Sequence, residues 1–298
     1  MNITALIVTW NRLPQLKKTI KATLLLPFEN IVVVNNASTD GTDSWLSQLT
    51  DVRLHIINAN ANLGGSEGFY LGSEYINQRI DTDWVVFYDD DAWPAPDFFE
   101  HFEQVDKSQS AVICTKVIDC EGQPCKMNLP WLKRTVTWRD NIAYLRGDPS
   151  FVVEVDTASK VISCSFVGAI VNAKVLQETY SLIHRELFIY FDDVYYGYHL
   201  HLLGYKLSYI PKIVMYHDIG NRPKSQIAPW KIYYLVRNML LAKYLFPHNS
   251  FFTWPAILLR ISKYLVLTFQ QPHWFQGISL FIRAIKDGLT NRSTPLGR

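Results

Sequence analysis

Three consecutive carboxylates, Asp89-Asp90-Asp91, close the apolar run Trp84-Val85-Val86-Phe87-Tyr88. A β-branched and aromatic run of that length reads as a buried strand, so the acids stand where the strand leaves its sheet. Adjacent negative charges need a cation or deep solvation to be tolerated. Two chemistries suit the pattern: a solvated acidic turn, or an Asp-x-Asp pair, Asp89 and Asp91, holding a hard divalent ion that carries phosphates. A second pair, Asp192-Asp193, closes the apolar run Phe188-Ile189-Tyr190-Phe191. A carboxylate kept apart from a metal can serve as general base, and Asp193 fits that role; the alternative is an N-cap pair for the helix from Val194. His217 ends a later strand, where it serves either as a structural residue or as a further metal ligand beside the acidic Asp218.

The elements that position these residues follow from the apolar pattern. Residues 3–9 form a strand ending in Thr9-Trp10-Asn11-Arg12, and Pro14 opens a helix with Leu16, Ile20, Leu24 and Leu25 on one face. A strand over 30–34 ends in Asn35-Asn36 and a turn-rich stretch, followed by a helix carrying Trp45, Leu46 and Leu49. A third strand over 53–58 precedes Asn62-Leu63-Gly64-Gly65 and another helix, and the fourth delivers the aspartates. Strand and helix in strict alternation predict an α/β fold with a mostly parallel sheet. Polar residues recur at the C-terminal ends of all four strands, the rim on which open α/β sheets bind ligands. Gly64-Gly65 lets backbone amides approach an anion at a helix start.

Further along, strands are expected at 114–117, 163–171 and 206–216, with helices over 174–183 and 194–203, and 120–150 reads as loop. Beyond residue 225 aromatic and aliphatic side chains mix with Lys231, Arg237, Lys243, Arg260 and Lys263. No run there has the ~18 uncharged apolar residues of a membrane span. Such a segment suits an interfacial helix at the inner face of a membrane, a helix packed on the protein's own core, or a contact between copies in a homo-oligomer. The chain of 298 residues is 48% hydrophobic and 19% charged, which favours a large core over disorder, and its net charge of +2 excludes general nucleic-acid binding. Cys114, Cys120, Cys125 and Cys164 read as reduced structural thiols of a cytoplasmic protein, and the N-terminus lacks the pattern of a secretory leader.

In order and spacing, Thr9-Trp10-Asn11-Arg12, Asn36-Ala37-Ser38-Thr39-Asp40-Gly41-Thr42, Asn62-Leu63-Gly64-Gly65, Asp89-Asp90-Asp91, Gly168-Ala169 and Phe191-Asp192-Asp193 resemble the family 2 glycosyltransferases. Gly204-Tyr205, His217 and Tyr234-Leu235-Val236-Arg237-Asn238 agree, so the resemblance spans about residues 1–240. It implies a GT-A fold, Rossmann-like, over 1–225, with a helical, aromatic-rich extension over 226–298. It further implies a nucleotide-sugar donor, a divalent Mn or Mg ion, inversion at the sugar carbon, and a glycan or polyprenyl-linked acceptor. Carried over by position, Thr9, Asn11, Arg12, Asn36, Asn62, Gly64 and Gly65 would contact the nucleotide together with Asp89 and Asp90. Asp89, Asp91 and His217 would hold the metal, Asp90 would shape the turn, and Asp193 would be the base. The triplet with Phe-Asp-Asp and a later His is similar to the bacterial galactofuranosyl and rhamnosyl transferase branch, which uses UDP- or dTDP-sugars to build O-antigen, capsule or cell-wall glycans.

Three positions depart from the family pattern. Asn35-Asn36 stands where an acidic residue is usual, and Tyr195 and His199 stand where an acidic residue and an arginine are common. His199 can neutralise a diphosphate only when protonated. A nucleotidyltransferase is the rival reading, but it calls for a basic glycine-rich loop after the first strand, where this chain has Thr9-Trp10-Asn11-Arg12. The other rival is a catalytically silent sugar-nucleotide-binding scaffold, against which the intact acidic motifs argue.

Overall fold

The structure is a computed structural model that describes residues 1–220, 227–272 and 274–296. The chain divides into two compact units. The first comprises Met1–Leu132, Val152–Arg185 and Asp193–Ile219, and the second Lys133–Phe151, Glu186–Asp192 and Gly220–Arg298. The expected domain boundary at residues 225 and 226 lies outside the described residues.

The first unit begins with β1 (Ile3–Thr9), α1 (Leu13–Leu24), β2 (Asn30–Asn35), α2 (Thr42–Leu46), β3 (Leu54–Asn58), α3 (Gly65–Arg79) and β4 (Trp84–Asp89). It continues with β5 (Ala92–Pro94), α4 (Phe98–Glu103) and β6 (Val112–Ile118). In the second unit α5 spans Trp138–Leu145. Then come β7 (Ser159–Val161), β8 (Ala169–Asn172), α6 (Ala173–Thr179), α7 (Asp192–Leu202) and β9 (Leu207–His217). The second unit ends with α8 (Pro229–Leu245), α9 (Trp254–Phe269) and α10 (Trp274–Leu289).

Among the described residues the strands form one sheet in the order β3-β2-β1-β4-β8-β6-β9-β5, with β7 alongside β9. The long ladders β3-β2-β1-β4 and β6-β9 are parallel, while β8, β5 and β7 pair antiparallel. β1, β2 and β4 are buried on both faces, as inner parallel strands flanked by helices must be. Alternate residues divide between two cores. Ile3, Ala5, Ile7, Val86 and Tyr88 pack with Leu16 and Ile20 of α1 and Phe98 and Phe102 of α4. Leu6, Val8, Val85 and Phe87 pack with Phe69 and Ile76 of α3. Each of the Val, Leu, Ile and Phe side chains contributes about 1.5–3 kcal/mol of burial.

The expected strand over 163–171 is shortened to Ala169–Asn172. Gly168 at φ +88 breaks the extended backbone, and a Cβ there would meet Thr115 Oγ1 at 2.0 Å. The preceding segment is held instead by Phe166, whose ring stacks on Phe87 at 5.1 Å. Residues 120–150, read as loop, contain α5. Its start is a capping box in which Thr137 and Asp140 exchange side-chain-to-backbone hydrogen bonds.

Candidate active site

The C-terminal rim of β1, β2 and β4 carries the residues singled out in the sequence, already joined to one another. Asp90 is buried at the end of β4, where it accepts from Thr9 Oγ1 at 2.8 Å and from the Trp10 amide at 3.3 Å. Its own carbonyl accepts from Thr19 of α1. Arg12, in the loop after β1, reaches Asp90 Oδ1 at 3.2 Å and Asp91 Oδ2 at 2.7 Å. The guanidinium thus offsets the charge of the triplet. Burial still pushes the Asp90 carboxyl up to about 6, against the pull of Arg12.

Asn11 adopts φ +52 and accepts from the Thr39 amide at 2.6 Å, while its own amide donates to Ser38 Oγ at 3.0 Å. Asn36 is buried and donates to Gly64 O at 2.7 Å and Asn62 Oδ1 at 3.1 Å, and Asn62 accepts from the Gly64 amide at 2.9 Å. The three loops after β1, β2 and β3 are therefore tied by asparagines. Gly64, at φ +91 and ψ 169, occupies a region that side-chain-bearing residues avoid. Among the described residues nothing lies within 4 Å of where a Cβ on Gly65 would be, so the backbone at the start of α3 is not covered there by a side chain. That is the arrangement by which a helix start receives an anion.

His217 comes to the triplet through the sheet. β5, which follows Asp91 directly, runs antiparallel to β9 with Ala92 opposite His217, and the Asp218 amide donates to Asp91 O at 2.8 Å. His217 Nε2 consequently lies 3.4 Å from Asp91 Oδ1, both side chains being buried. Asp91 Oδ1 has no hydrogen-bond partner. On the other side of the ring, Nδ1 lies 3.1 Å from Asn128 Oδ1, and Asn128 Nδ2 donates to Ser165 Oγ at 2.9 Å. With Nδ1–H donated to Asn128, a neutral imidazole presents its Nε2 lone pair to the carboxylate. Two acceptors facing one another need a cation between them, and an outer hydrogen bond of this kind fixes the tautomer of ligating histidines. Burial alone would raise the Asp91 carboxyl. When Nε2 carries a proton instead, its hydrogen bond and charge, followed by the charge of Arg12, outweigh burial and hold Asp91 below the usual carboxylate range.

Among the described residues no group of three or more His, Cys, Asp or Glu is gathered for a metal ion. The pair Asp91 and His217 is assembled, whereas Asp89 ends β4 opposite Val8 without joining such a group. One carboxylate and one imidazole nevertheless fit a hard divalent ion that completes its shell with phosphate oxygens and water.

Asp193 lies in the first turn of α7. Its Oδ1 accepts from the Val194 amide at 2.7 Å and its carbonyl from Cys164 Sγ at 3.4 Å. Cys164 and Ser165 are neighbours on the segment that enters the sheet at Gly168, whose amide donates to Phe87 O. A chain of contacts from Asp91 through His217, Asn128 and Ser165 thereby leads to the strand segment that fastens Asp193.

A model of the family described as "Glycosyl transferase family 2" matches residues 4–163, more than half of the chain. The chain belongs to glycosyltransferase family 2 and is a transferase. Among solved structures, TarS 1-349 of S. aureus is similar at 16% identity and a TM-score of 0.53, over 96% of this chain and 82% of that one. The mannosyltransferase PcManGT from Pyrobaculum calidifontis, in complex with GDP-Man and Mn2+, aligns at 16% identity and a TM-score of 0.53, over 95% of this chain and 75% of its own. GalNAc-T7 with UDP, GalNAc and Mn2+ aligns at 12% identity and a TM-score of 0.55, over 98% of this chain and 58% of its own. These likenesses show the GT-A fold. Among curated proteins, none matches the sequence.

The transferase also carries features that its sequence did not signal. His199, at the position where the family commonly has arginine, has its Nε2 2.8 Å from His184 Nε2. Arg185, next to His184, is already paired: its Nε donates at 2.5 Å to Glu67, in the first turn of α3, and its guanidinium lies 4.5 Å from the Tyr70 ring centre. Glu67 is buried, and Arg185 is its counter-charge. In the second unit, Phe188, Tyr190 and Phe191 adopt φ of +71, +70 and +67 just before α7. That costly backbone is held from α8. Arg237 donates to the carbonyls of Glu186 and Leu187, and Asn238 to those of Leu187, Ile189 and Tyr190, at 2.8–3.1 Å. The Arg-Asn dipeptide was visible in the sequence, but nothing local showed which carbonyls it binds.

Proposed function

We propose that this transferase moves a hexose, with inversion, from a UDP- or dTDP-sugar of the galactofuranose or rhamnose type to a hydroxyl of a glycan or polyprenyl-linked acceptor. The setting is bacterial surface-polysaccharide synthesis at the inner face of the cytoplasmic membrane. The transferase domain is residues 1–225 and the helical extension 226–298. One observation carries the reading: a buried carboxylate oxygen, Asp91 Oδ1, without a hydrogen-bond partner and facing His217 Nε2 on the rim of the sheet.

Asp91 and His217, with Asp89 at the strand end, would hold a Mn or Mg ion. When bound, that ion supplies positive charge to the diphosphate of the donor and stabilises it as a leaving group. Gly64-Gly65 shapes the start of α3 that receives the phosphates. Thr9, Asn11, Asn36 and Asn62 keep the loops in the shape that accepts the nucleotide, with Arg12 and Asp90 beside them. Asp193 accepts the proton of the acceptor hydroxyl as its oxygen bonds to the anomeric carbon and the bond to the diphosphate breaks. The nucleoside diphosphate departs with the bonding electrons. Attack from the face opposite the leaving group inverts the centre. Solved structures of the same fold with Mn2+, one with GDP-Man and one with UDP, support a divalent metal and a nucleotide-sugar donor.

Calorimetric titration of a panel of UDP-, dTDP- and GDP-sugars, each with and without Mn, tests this reading. It expects the tightest binding from a UDP- or dTDP-sugar and dependence on the metal. Metal-independent binding, or a preference for a GDP-sugar, contradicts it.

A further inference from the structure

The second unit has a charge of its own. Eleven of the chain's 29 Lys and Arg, but one of its 27 Asp and Glu, lie beyond Ile219, so that segment is formally +10 while the remainder is −8. The single acid, Asp287, is buried against Tyr233 and Arg283. The same segment exposes apolar side chains in register with its helices. On α9, Trp254, Leu258, Val266 and Phe269 fall within one face and are each 49–55% exposed. On α10, Phe275, Ile282 and Leu289 repeat every seven residues and are 73%, 61% and 48% exposed. Lys286, eleven residues after Phe275, rises from the middle of that stripe and is exposed, as is Lys263 on α9. The two stripes meet where the helices join: the Phe269 and Trp274 rings are 5.6 Å apart, and Trp274 stacks on Phe275.

We propose that the exposed face of α9 and α10 docks on an anionic lipid surface, with the Phe269–Trp274–Phe275 corner inserted at the headgroup level and Lys263 and Lys286 on the lipid phosphates. Aromatic residues at the margin of an apolar stripe, with lysines that can extend past it, suit a helix lying in the interface. Among the described residues no helix is long and apolar enough to cross a membrane, so the contact is peripheral. A second copy of this chain fits the face poorly. A two-fold contact sets the same patch against itself, and here that would bring basic residues together without acids to meet them. Anionic headgroups supply the missing charge. The inference extends the membrane placement proposed above and uses no step of the transfer reaction.

Vesicle co-sedimentation of the full chain, without nucleotide-sugar, tests it. The protein should sediment with phosphatidylcholine vesicles containing about one third phosphatidylglycerol and release in high salt, with roughly ten-fold less binding to pure phosphatidylcholine. The pair Phe269→Ser with Phe275→Ser, and separately Lys263→Glu with Lys286→Glu, should each lower binding by about ten-fold or more. All of these positions are solvent-exposed, so Mn-dependent UDP binding by the variants should match wild type and report an intact fold. Equal binding to neutral and anionic vesicles, or no sedimentation with either, overturns the proposal. So does a wild-type dimer by light scattering that the same substitutions convert to monomer.

Discussion

Asp91 and His217 face one another across 3.4 Å because the short strand that leaves the acidic triplet pairs with the strand that ends in His217. The register of that pairing, and not the proximity of the residues in the chain, creates the pair. Asn128 orients the imidazole from behind, and Arg12 takes the other oxygen of Asp91. A carboxylate oxygen is left in a buried position with an imidazole nitrogen as its neighbour and no proton donor of its own.

Asp193 is assigned the proton of the acceptor. Asp193→Asn keeps the size of the side chain and an oxygen for the Val194 amide, so the start of α7 should persist. Turnover should fall by about 10²–10⁴-fold, the usual contribution of a positioned base. Binding of UDP in the presence of Mn should be unchanged. Steady-state kinetics with calorimetry on the same preparation checks both halves, and undiminished turnover contradicts the assignment.

The segment Glu186–Tyr190 depends on α8. Asn238→Ala removes the donor to three carbonyls, and Arg237→Met removes a fully buried guanidinium from four. Each substitution should destabilise the protein by on the order of 3 kcal/mol, since several buried or part-buried carbonyls each lose a donor. Urea unfolding measures this. A loss below about 1 kcal/mol would show that water replaces these bonds without cost.

Acid stability has a defined contributor in Asp51. Hydrogen bonds from Arg53, side chain first and then backbone, lower its carboxyl from 3.8 to about 2. A carboxyl lowered on folding adds stability above its unfolded value, and that stability is lost as pH falls through the folded one. Asp51→Asn should therefore lower the unfolding midpoint at pH 6 and make no difference near pH 2, a window from about 4 to 2 readable by thermal melts. Equal melting differences at both pH values contradict the pairing.

The first four strands and their polar rim were legible because local patterns carry them: apolar runs in β1, β2 and β4, and turn residues at each end. The acidic triplet was legible for the same reason. What joins the rim was not. The pairing of Ala92 with His217 depends on a three-residue strand too short to show periodicity. The positive φ of Phe188, Tyr190 and Phe191 falls on residues whose types give no hint of it, since carbonyl contacts from the distant Arg237 and Asn238 help to sustain it. Glu67 lies in a glycine-rich helix start, and nothing local points to its partner Arg185, which is distant in sequence. Of the three residues expected to hold a metal, two are assembled here, because the sheet pairs their strands directly.

The most direct measurement is the binding of UDP with and without Mn by wild type, Asp91→Ala and His217→Ala. Wild type should bind at least about ten-fold more tightly with the metal, the equivalent of ~1.4 kcal/mol. Asp91→Ala should lose that increment entirely and His217→Ala most of it, with melting temperatures confirming that both variants are folded. Metal-enhanced UDP binding that survives in Asp91→Ala would contradict the account at its centre.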